Sequence, residues 1–175
     1  MMDQQITVAV LAILFVAVMI ASRFAGGGGR IRLTKQAWGT VYVFNSPTED
    51  GVHKVGFTRR SVAVRRREVS QNMAGGRDIR TIFVVDTHFP EDVERRAHWL
   101  LRQKNIDFSG AEHRRGVEWF HGDARAKTDA LLAACADVRA EAIRRRKWPE
   151  TADARVKAVR WEGRKRIEVR PFAGR

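Results

Sequence analysis

An arginine-rich segment, SVAVRRREVS, places positive charge on the apolar side of a predicted helix. Arg65 lies three residues after Val62 and four before Val69, so at helical spacing it shares their face. Such an arginine can lay its stem over apolar surface and keep its guanidinium in water. It can also present a permanent, planar cation to a phosphate group. Arg66 fits the same geometry nearly as well.

A carboxylate and an imidazole lie one helical turn apart further along the chain. Glu94 and His98 are at positions i and i+4 of a predicted helix and therefore face the same way. Together they can hold a divalent cation or share a proton. They can equally form a surface pair worth about 0.2–0.5 kcal/mol. Glu118, in GVEWF, is a further carboxylate.

Three more polar groups lie in predicted strands. Tyr42, the only tyrosine of the chain, is in the first strand, where a core or edge aromatic is the default interpretation. His53 and Lys54 are neighbours in the second strand, so their side chains point to opposite faces of the sheet. One of them could face the surface that carries Arg65.

The elements that would position these residues follow from hydrophobic periodicity and turn signals. VYVF (41–44) and VHKVGF (52–57) predict a hairpin, and IRTIFVV (79–85) predicts a third strand. Ser61 suits the N-cap of a helix over 62–69, Pro90 the first turn of a second helix, and Asp123 the N-cap of a third. The predicted fold is α+β, a small three-stranded sheet flanked by helices in the order β-β-α-β-α-α.

The N-terminal region has a different composition. Residues 6–22 carry no charge and, as a helix, would span about 25 Å, which predicts a transmembrane anchor over 6–24. A cleaved signal peptide is the alternative, but the tail at 1–5 has no basic residue. Basic residues follow the span in a glycine-rich linker (25–36). The expected localisation is therefore a single-pass membrane protein with its N-terminus outside and the catalytic domain in the cytoplasm.

The net charge of +13 indicates a polyanionic partner, either nucleic acid or an anionic lipid surface, unless the basic residues are only solvated. Residues 124–175 hold 15 Lys or Arg against 7 Asp or Glu, about +8 of that total. This region is predicted to be a basic helix followed by a second hairpin around Glu162 and Gly163. The single cysteine, Cys135, excludes an internal disulfide and a cysteine-based zinc site.

The order of the motifs is more specific than any one of them. G-x-V-Y, K-V-G-F-T, an arginine nine residues after that glycine, a third strand, E-x-x-x-H and E-W-F follow one another. In this order the chain resembles the GIY-YIG nuclease superfamily, and in detail the branch named after a phage reading frame and a meiotically up-regulated fungal gene. The resemblance covers roughly residues 38–123 and implies a nuclease domain over 37–123.

The resemblance implies roles for the residues that match its two half-motifs and its arginine. Tyr42 stands where the tyrosine of the first half-motif is expected. Arg65, in preference to Arg66, matches the motif arginine and would neutralise charge on the phosphate. Lys54 stands where a second tyrosine would be, which removes a hydroxyl from the expected site.

The resemblance also implies a divalent metal, Mg²⁺ or Mn²⁺, held by a glutamate. Glu94 is the best match for that residue, and Glu118 is the runner-up. His98 would be the histidine that accompanies the glutamate in this branch. Tyr42, or His98 through a water, would orient or deprotonate the attacking water.

The expected function is that of a membrane-anchored, metal-dependent DNA endonuclease. The first alternative is a catalytically inactive nucleic-acid-binding module tethered to the membrane, and the second is a membrane-organising protein whose basic tail docks on anionic lipid. The sequence does not indicate an oligomeric state. The residues expected to contact nucleic acid are all basic: Arg59, Arg60, Arg66, Arg144, Arg145, Arg146, Lys147, Arg164, Lys165 and Arg166.

Overall fold

The computed structural model describes residues 31–34, 36–72, 79–104, 119–169 and 171–172. From Arg32 onward they belong to one compact unit. The segment expected to form the anchor, 6–24, and the runner-up metal ligand Glu118 lie outside the described residues.

A six-stranded, fully antiparallel sheet forms the framework, in the spatial order β4-β2-β1-β3-β5-β6. The strands are β1 (Gly39–Asn45), β2 (His53–Thr58), β3 (Thr81–Thr87), β4 (Trp119–Phe120), β5 (Ala158–Glu162) and β6 (Lys165–Val169). The first three match the predicted strands to within two residues at either end. The hairpin of β1 and β2 is confirmed, with Tyr42 opposite Gly56.

The prediction of a three-stranded sheet is wrong. The apolar pair Trp119–Phe120 adds a short strand to the outer edge of β2, opposite His53 and Lys54. The second hairpin turns at Gly163, whose φ of 62° suits glycine. It does not stand apart as an appendage, because β5 pairs with the outer edge of β3 and so satisfies backbone groups that would otherwise be an exposed edge.

Four helices accompany the sheet: α1 (Val62–Gln71), α2 (Pro90–Gln103), α3 (Ala124–Arg144) and α4 (Ala152–Arg155). The predicted starts of the first three are confirmed. The Ser61 hydroxyl accepts a hydrogen bond from the Val64 amide, and the Asp123 carboxylate accepts one from the Arg125 amide. Pro90 occupies the first turn of α2, where its missing N–H costs nothing.

The two faces of the sheet are covered unequally. On one face Val41, Val43, Val55, Phe83 and Val85 are fully buried, and the long helices α2 and α3 pack against β1 and β2 there. The apolar stripe predicted for α3, formed by Leu131, Cys135, Val138 and Ala142, is buried as expected. On the other face, Tyr42 and Phe44 form a cluster with Val69 of α1.

Within the described residues there is no helix with the length and apolar composition needed to cross a bilayer. The single-pass membrane localisation expected from the sequence therefore loses its support and is withdrawn. The fold assignment is corrected in the same way, from a three-stranded sheet behind a transmembrane helix to the six-stranded sheet described above.

Candidate functional site

Tyr42 and Arg65 meet on the α1 side of the sheet. Arg65 Nε donates a hydrogen bond of 3.1 Å to the Tyr42 hydroxyl. The Tyr42 ring stacks on Phe44, with centroids 4.0 Å apart, and the residue is 0% exposed. The tyrosine is thus an enclosed support, and the guanidinium above it is the part of the pair that reaches solvent.

Gly56 explains how the tyrosine fits against the sheet. It lies opposite Tyr42 in the hairpin register. A Cβ at this position would be 2.6 Å from the Tyr42 hydroxyl oxygen, closer than such atoms approach. The glycine of K-V-G-F-T therefore leaves the space in which the hydroxyl lies, as a glycine inside a strand often does for a close neighbour.

The charge of Arg65 is held by two partners. Its Nη1 donates to a Glu68 carboxylate oxygen at 3.3 Å, in addition to the bond with Tyr42. Burial disfavours the charged form of Arg65, but the interactions with Tyr42 and Glu68 outweigh it, so its pKa is raised above the usual range. Glu68 also pairs with Arg60 at 2.7 Å. The site thus holds a fixed, permanently charged guanidinium on a half-buried rim.

Lys54 lies on the same face, since it pairs with Phe44 in the register. It is only 6% exposed, and its ammonium group is 5.6 Å from the centroid of the Trp119 ring. Trp119 belongs to the same apolar cluster as Tyr42. The lysine that replaces the second motif tyrosine is therefore brought to the site, but mostly beneath its surface.

His98 lies at the edge of β2 where β4 ends. Its Nε2 is 2.9 Å from the Val55 carbonyl oxygen, and its ring packs against Phe120. A carbonyl oxygen can only accept, so Nε2 carries the ring hydrogen and Nδ1 is the acceptor of the neutral ring. The histidine thereby satisfies a backbone group of the sheet edge and has a defined tautomer.

Glu94 lies along the same edge of β2. The helix that carries it starts beside Gly39, where an added Cβ would be 2.9 Å from Pro90 Cγ. One turn past Glu94, His98 reaches the Val55 carbonyl. Glu94 is half-buried on α2 between these two points.

The donor set is sparse in the part of the chain that the structure describes. There, no group of three or more His, Cys, Asp or Glu side chains could hold a metal ion. One or two carboxylates are compatible with Mg²⁺, whose shell water and substrate phosphate can complete.

The arginines and lysines expected to contact nucleic acid differ in how they are paired. Arg59 pairs with Glu91 and Arg60 with Glu68, while Arg144 and Arg145 both pair with Glu141. Arg166 lies 3.7 Å from Glu168. The remaining members of the set are exposed and form no ion pair with another described residue: Arg66, Arg146, Lys147, Arg164 and Lys165.

Sequence reasoning missed the acidic partners of these arginines. Glu68 is three residues after Arg65 on α1, a spacing at which opposite charges meet, and this signal could have identified it. Glu91, the partner of Arg59, had no comparable local signal because the two belong to different elements. Lys127, fully buried beneath β4 with its ammonium group bonded to the His121 carbonyl, was also missed.

Comparison with known proteins gives one family. The T5orf172 domain matches residues 39–139, from the first residue of β1 to within five residues of the end of α3. The match includes Tyr42, Lys54, Arg65, Glu94 and His98 and leaves out the second hairpin. No curated protein and no solved structure matches the chain significantly.

Proposed function

The chain belongs to the T5orf172 domain family, whose domain is found in GIY-YIG-like nuclease-related proteins, and we propose that it hydrolyses phosphodiester bonds in DNA. In this reaction water adds its oxygen to phosphorus, the bond from phosphorus to one ester oxygen breaks, and that oxygen leaves with a proton. The observation that carries the proposal is the Arg65 guanidinium, fixed by Tyr42 and Glu68 at the rim of the sheet.

Arg65 suits this role because it meets charge that grows on the phosphate in the transition state. A donor that is already oriented needs no reorganisation at the moment of reaction, which is why such groups contribute strongly to catalysis. The Tyr42 hydroxyl accepts from Nε and Glu68 accepts from Nη1, so the guanidinium is held on two sides. Tyr42 is thus proposed as a positioning residue, since it is too enclosed to touch the substrate itself.

Glu94 is the proposed ligand for Mg²⁺ or Mn²⁺. When bound, the ion would polarise the phosphate and stabilise the leaving oxygen. Of the two expected proton acceptors, His98 is the one proposed here, because it is half-exposed whereas Tyr42 is fully buried. A histidine with a defined tautomer is typical of groups that accept a proton from water.

A nucleic-acid-binding module without cleavage is the second candidate. Two observations favour it: Lys54 replaces a motif tyrosine, and Tyr42 has no exposed surface. Under this candidate, Arg65 would hold a phosphate without activating it. The two functions differ in metal dependence, because binding survives chelation and turnover does not.

The test is nicking of supercoiled plasmid by the full chain with Mg²⁺, with Mn²⁺ and with EDTA. Arg65→Ala is expected to reduce the rate by at least about 100-fold, the usual effect of losing one transition-state donor. Arg66→Ala is the matched control, since Arg66 is the neighbouring exposed arginine without an ion pair among the described residues. Glu94→Ala tests the metal ligand.

Equal rates for Arg65→Ala and Arg66→Ala would remove the proposed mechanism. A plasmid that is shifted but uncut in every lane would establish the binding module instead. Cleavage that persists in EDTA would leave the nuclease proposal standing and exclude the metal from it.

A further inference from the structure

A row of paired residues leads from the candidate site across the whole sheet. Gly56, Tyr42, Val84, Val159 and Glu168 are successive partners on β2, β1, β3, β5 and β6. Directly paired residues share a face, so the second hairpin continues the same surface that carries Tyr42. Val84 packs against the Tyr42 cluster, which makes this surface continuous.

Part of this surface is accessible, at Trp161 and Arg166, whereas Val159 between Val84 and Glu168 is buried. Among the described residues, the main packing of α1 is against β1. Val84 is half-exposed there, whereas Phe83 and Val85, on the opposite face, are fully buried. The distance from Tyr42 to β5 is two strand spacings, about 10 Å.

Trp161 differs from the other four tryptophans. Trp38 contacts His88, Trp99 contacts Arg96, Trp119 contacts Lys54, and Trp148 contacts Phe89. Trp161 makes no ring contact with any residue in the described part of the chain, and it is half-exposed. It lies two residues after Val159 and therefore points to the site face. An aromatic ring in this setting is available to a ligand.

The hairpin around Trp161 is positively charged. Residues 157–169 hold five Lys or Arg and two Asp or Glu. Arg166 lies directly opposite Trp161 and is exposed, with Glu168 at 3.7 Å. Arg164 and Lys165, in and beside the turn, are exposed and have no ion-pair partner among the described residues. This combination of one aromatic face with several cations matches the chemistry of a nucleotide, a flat base joined to a phosphate.

We propose that the face formed by β3, β5 and β6 binds single-stranded nucleic acid, with a base stacked on Trp161 and a phosphate bound by Arg166. The inference rests on the proposed function, because the bound nucleic-acid strand would be the one whose phosphate reaches Arg65. Stacking on an exposed ring requires an unpaired base, so the occupant is a single strand and not a duplex. The hairpin of β5 and β6 lies outside the matched residues, whereas β3 lies within them.

Fluorescence anisotropy with labelled single-stranded and duplex oligonucleotides tests the proposal, with the full chain in EDTA so that nothing is cut. Trp161→Ala is expected to weaken single-strand binding by about 5- to 150-fold, the effect of losing one base stack. Trp161→Phe keeps most of the affinity. Trp99→Ala, which removes a half-exposed tryptophan on α2, is the matched control and leaves binding unchanged.

Equal effects of Trp161→Ala and Trp99→Ala, or an equal loss for duplex and single strand, would overturn the proposal. If Trp161→Ala does not fold, Arg166→Ala decides the question. Loss of one phosphate contact lowers the salt dependence of single-strand binding by about 0.7 in log–log slope, and an unchanged slope rejects the assignment.

The outcome is separable from that of the cleavage test. Binding that depends on Trp161 in a protein that never cuts would support the surface and reject the nuclease. Cleavage that depends on Arg65, together with binding that Trp161→Ala leaves unchanged, would support the nuclease and reject the surface.

Discussion

The two faces of the sheet carry different kinds of residue. The face under α2 and α3 is built from Val41, Val43, Val55, Phe83 and Val85, all fully buried. The face under α1 carries Tyr42, Lys54 and Gly56 beside its apolar residues. Only Val69 of α1 is buried, so this helix contributes little apolar area, in contrast to α2 and α3.

One face of the sheet thus serves mainly stability, and the other carries the residues of the candidate site. Burial of apolar side chains under α2 and α3 contributes hydrophobic free energy to folding. On the other face, α1 contributes Val69 and Val62 to the Tyr42 cluster, and Arg65 adds its bond to Tyr42. Substitutions on the face under α2 and α3 (the closed face) should therefore unfold the protein. Substitutions of exposed residues on α1, which lies on the other face (the open face), should change function and leave the fold intact.

The largest expected effect is on the closed face. Phe83→Ala should lower the free energy of unfolding by about 3–5 kcal/mol, because it removes a fully buried ring and leaves a cavity. Val64→Ala, at an exposed position of α1 that is 40% accessible, should change it by less than about 0.5 kcal/mol. Urea unfolding measures both. Similar losses for the two variants would show that α1 belongs to the cooperative core.

Gly56→Ala should have the next largest effect, and it acts on both stability and function. The added methyl group overlaps the Tyr42 hydroxyl, so the ring must move and Arg65 loses its support. Overpacking of this kind costs about 1–3 kcal/mol. In a Tyr42→Ala background the same change should cost much less, which a double-mutant cycle measures. Additive losses would mean that the two side chains do not compete for one space.

Local sequence signals predicted most of the helices and strands but few of the pairings between strands. Ser61, Pro90 and Asp123 mark helix starts because caps and first-turn prolines satisfy backbone groups within a few residues. The hairpin at Gly163 was predicted from alternation in the same way. Its place beside β3 was not, because the choice of a strand's partner depends on which edges are open after the rest has folded.

The sequence indicated which residues could form the candidate site, but it predicted their surroundings only in part. The spacing that puts Arg65 on the apolar side of α1 agrees with its bond to Tyr42. The depth of Tyr42 and Lys54 could not be read from the sequence, since it depends on how α1 and β4 cover the sheet. The ion pairs of Arg59 and Arg144 were missed because positive charge was counted without its acidic partners. The membrane localisation rested on the uncharged stretch at 6–22 and on the basic residues that follow it.

Lys127 is an exception on the closed face and gives a pH-dependent test. Burial lowers its pKa from 10.5 to about 8, only partly offset by Asp123. Between about pH 8 and 10.5, the unfolded chain therefore binds the proton more tightly than the folded protein. The free energy of unfolding therefore rises with pH across that window, because the folded protein no longer has to bury a charged Lys127. It falls again as the pH is lowered through the window.

Lys127→Met is the variant that isolates this effect, because it keeps the length of the side chain and removes the charge. Urea unfolding at pH 7.5 and at pH 10 should show a gain in stability at the higher pH that is larger in the parent protein than in the variant. Equal gains would mean that Lys127 keeps an ordinary pKa in the folded state, and the closed face would then tolerate a buried charge.

The smallest expected effect distinguishes the two partners of Arg65. Glu68→Gln removes the charge that pairs with Arg60 and Arg65 but leaves the bond from Arg65 Nε to the Tyr42 hydroxyl. Half-exposed ion pairs contribute little, about 0.2–1 kcal/mol, so plasmid nicking should fall by no more than about fivefold. Glu91→Gln, which breaks the Arg59 pair, is the matched control and should leave the nicking rate unchanged.

A loss with Glu68→Gln as large as that with Arg65→Ala would contradict this ranking. The guanidinium would then be held by the carboxylate on its own helix, and the polar contact between α1 and the sheet would not be what orients it. The weak dependence expected here thus places the support of Arg65 in Tyr42 of β1, whose ring stacks on Phe44 and whose hydroxyl lies against Gly56 of β2. The open face would then be organised by the sheet itself, with α1 supplying only the cation.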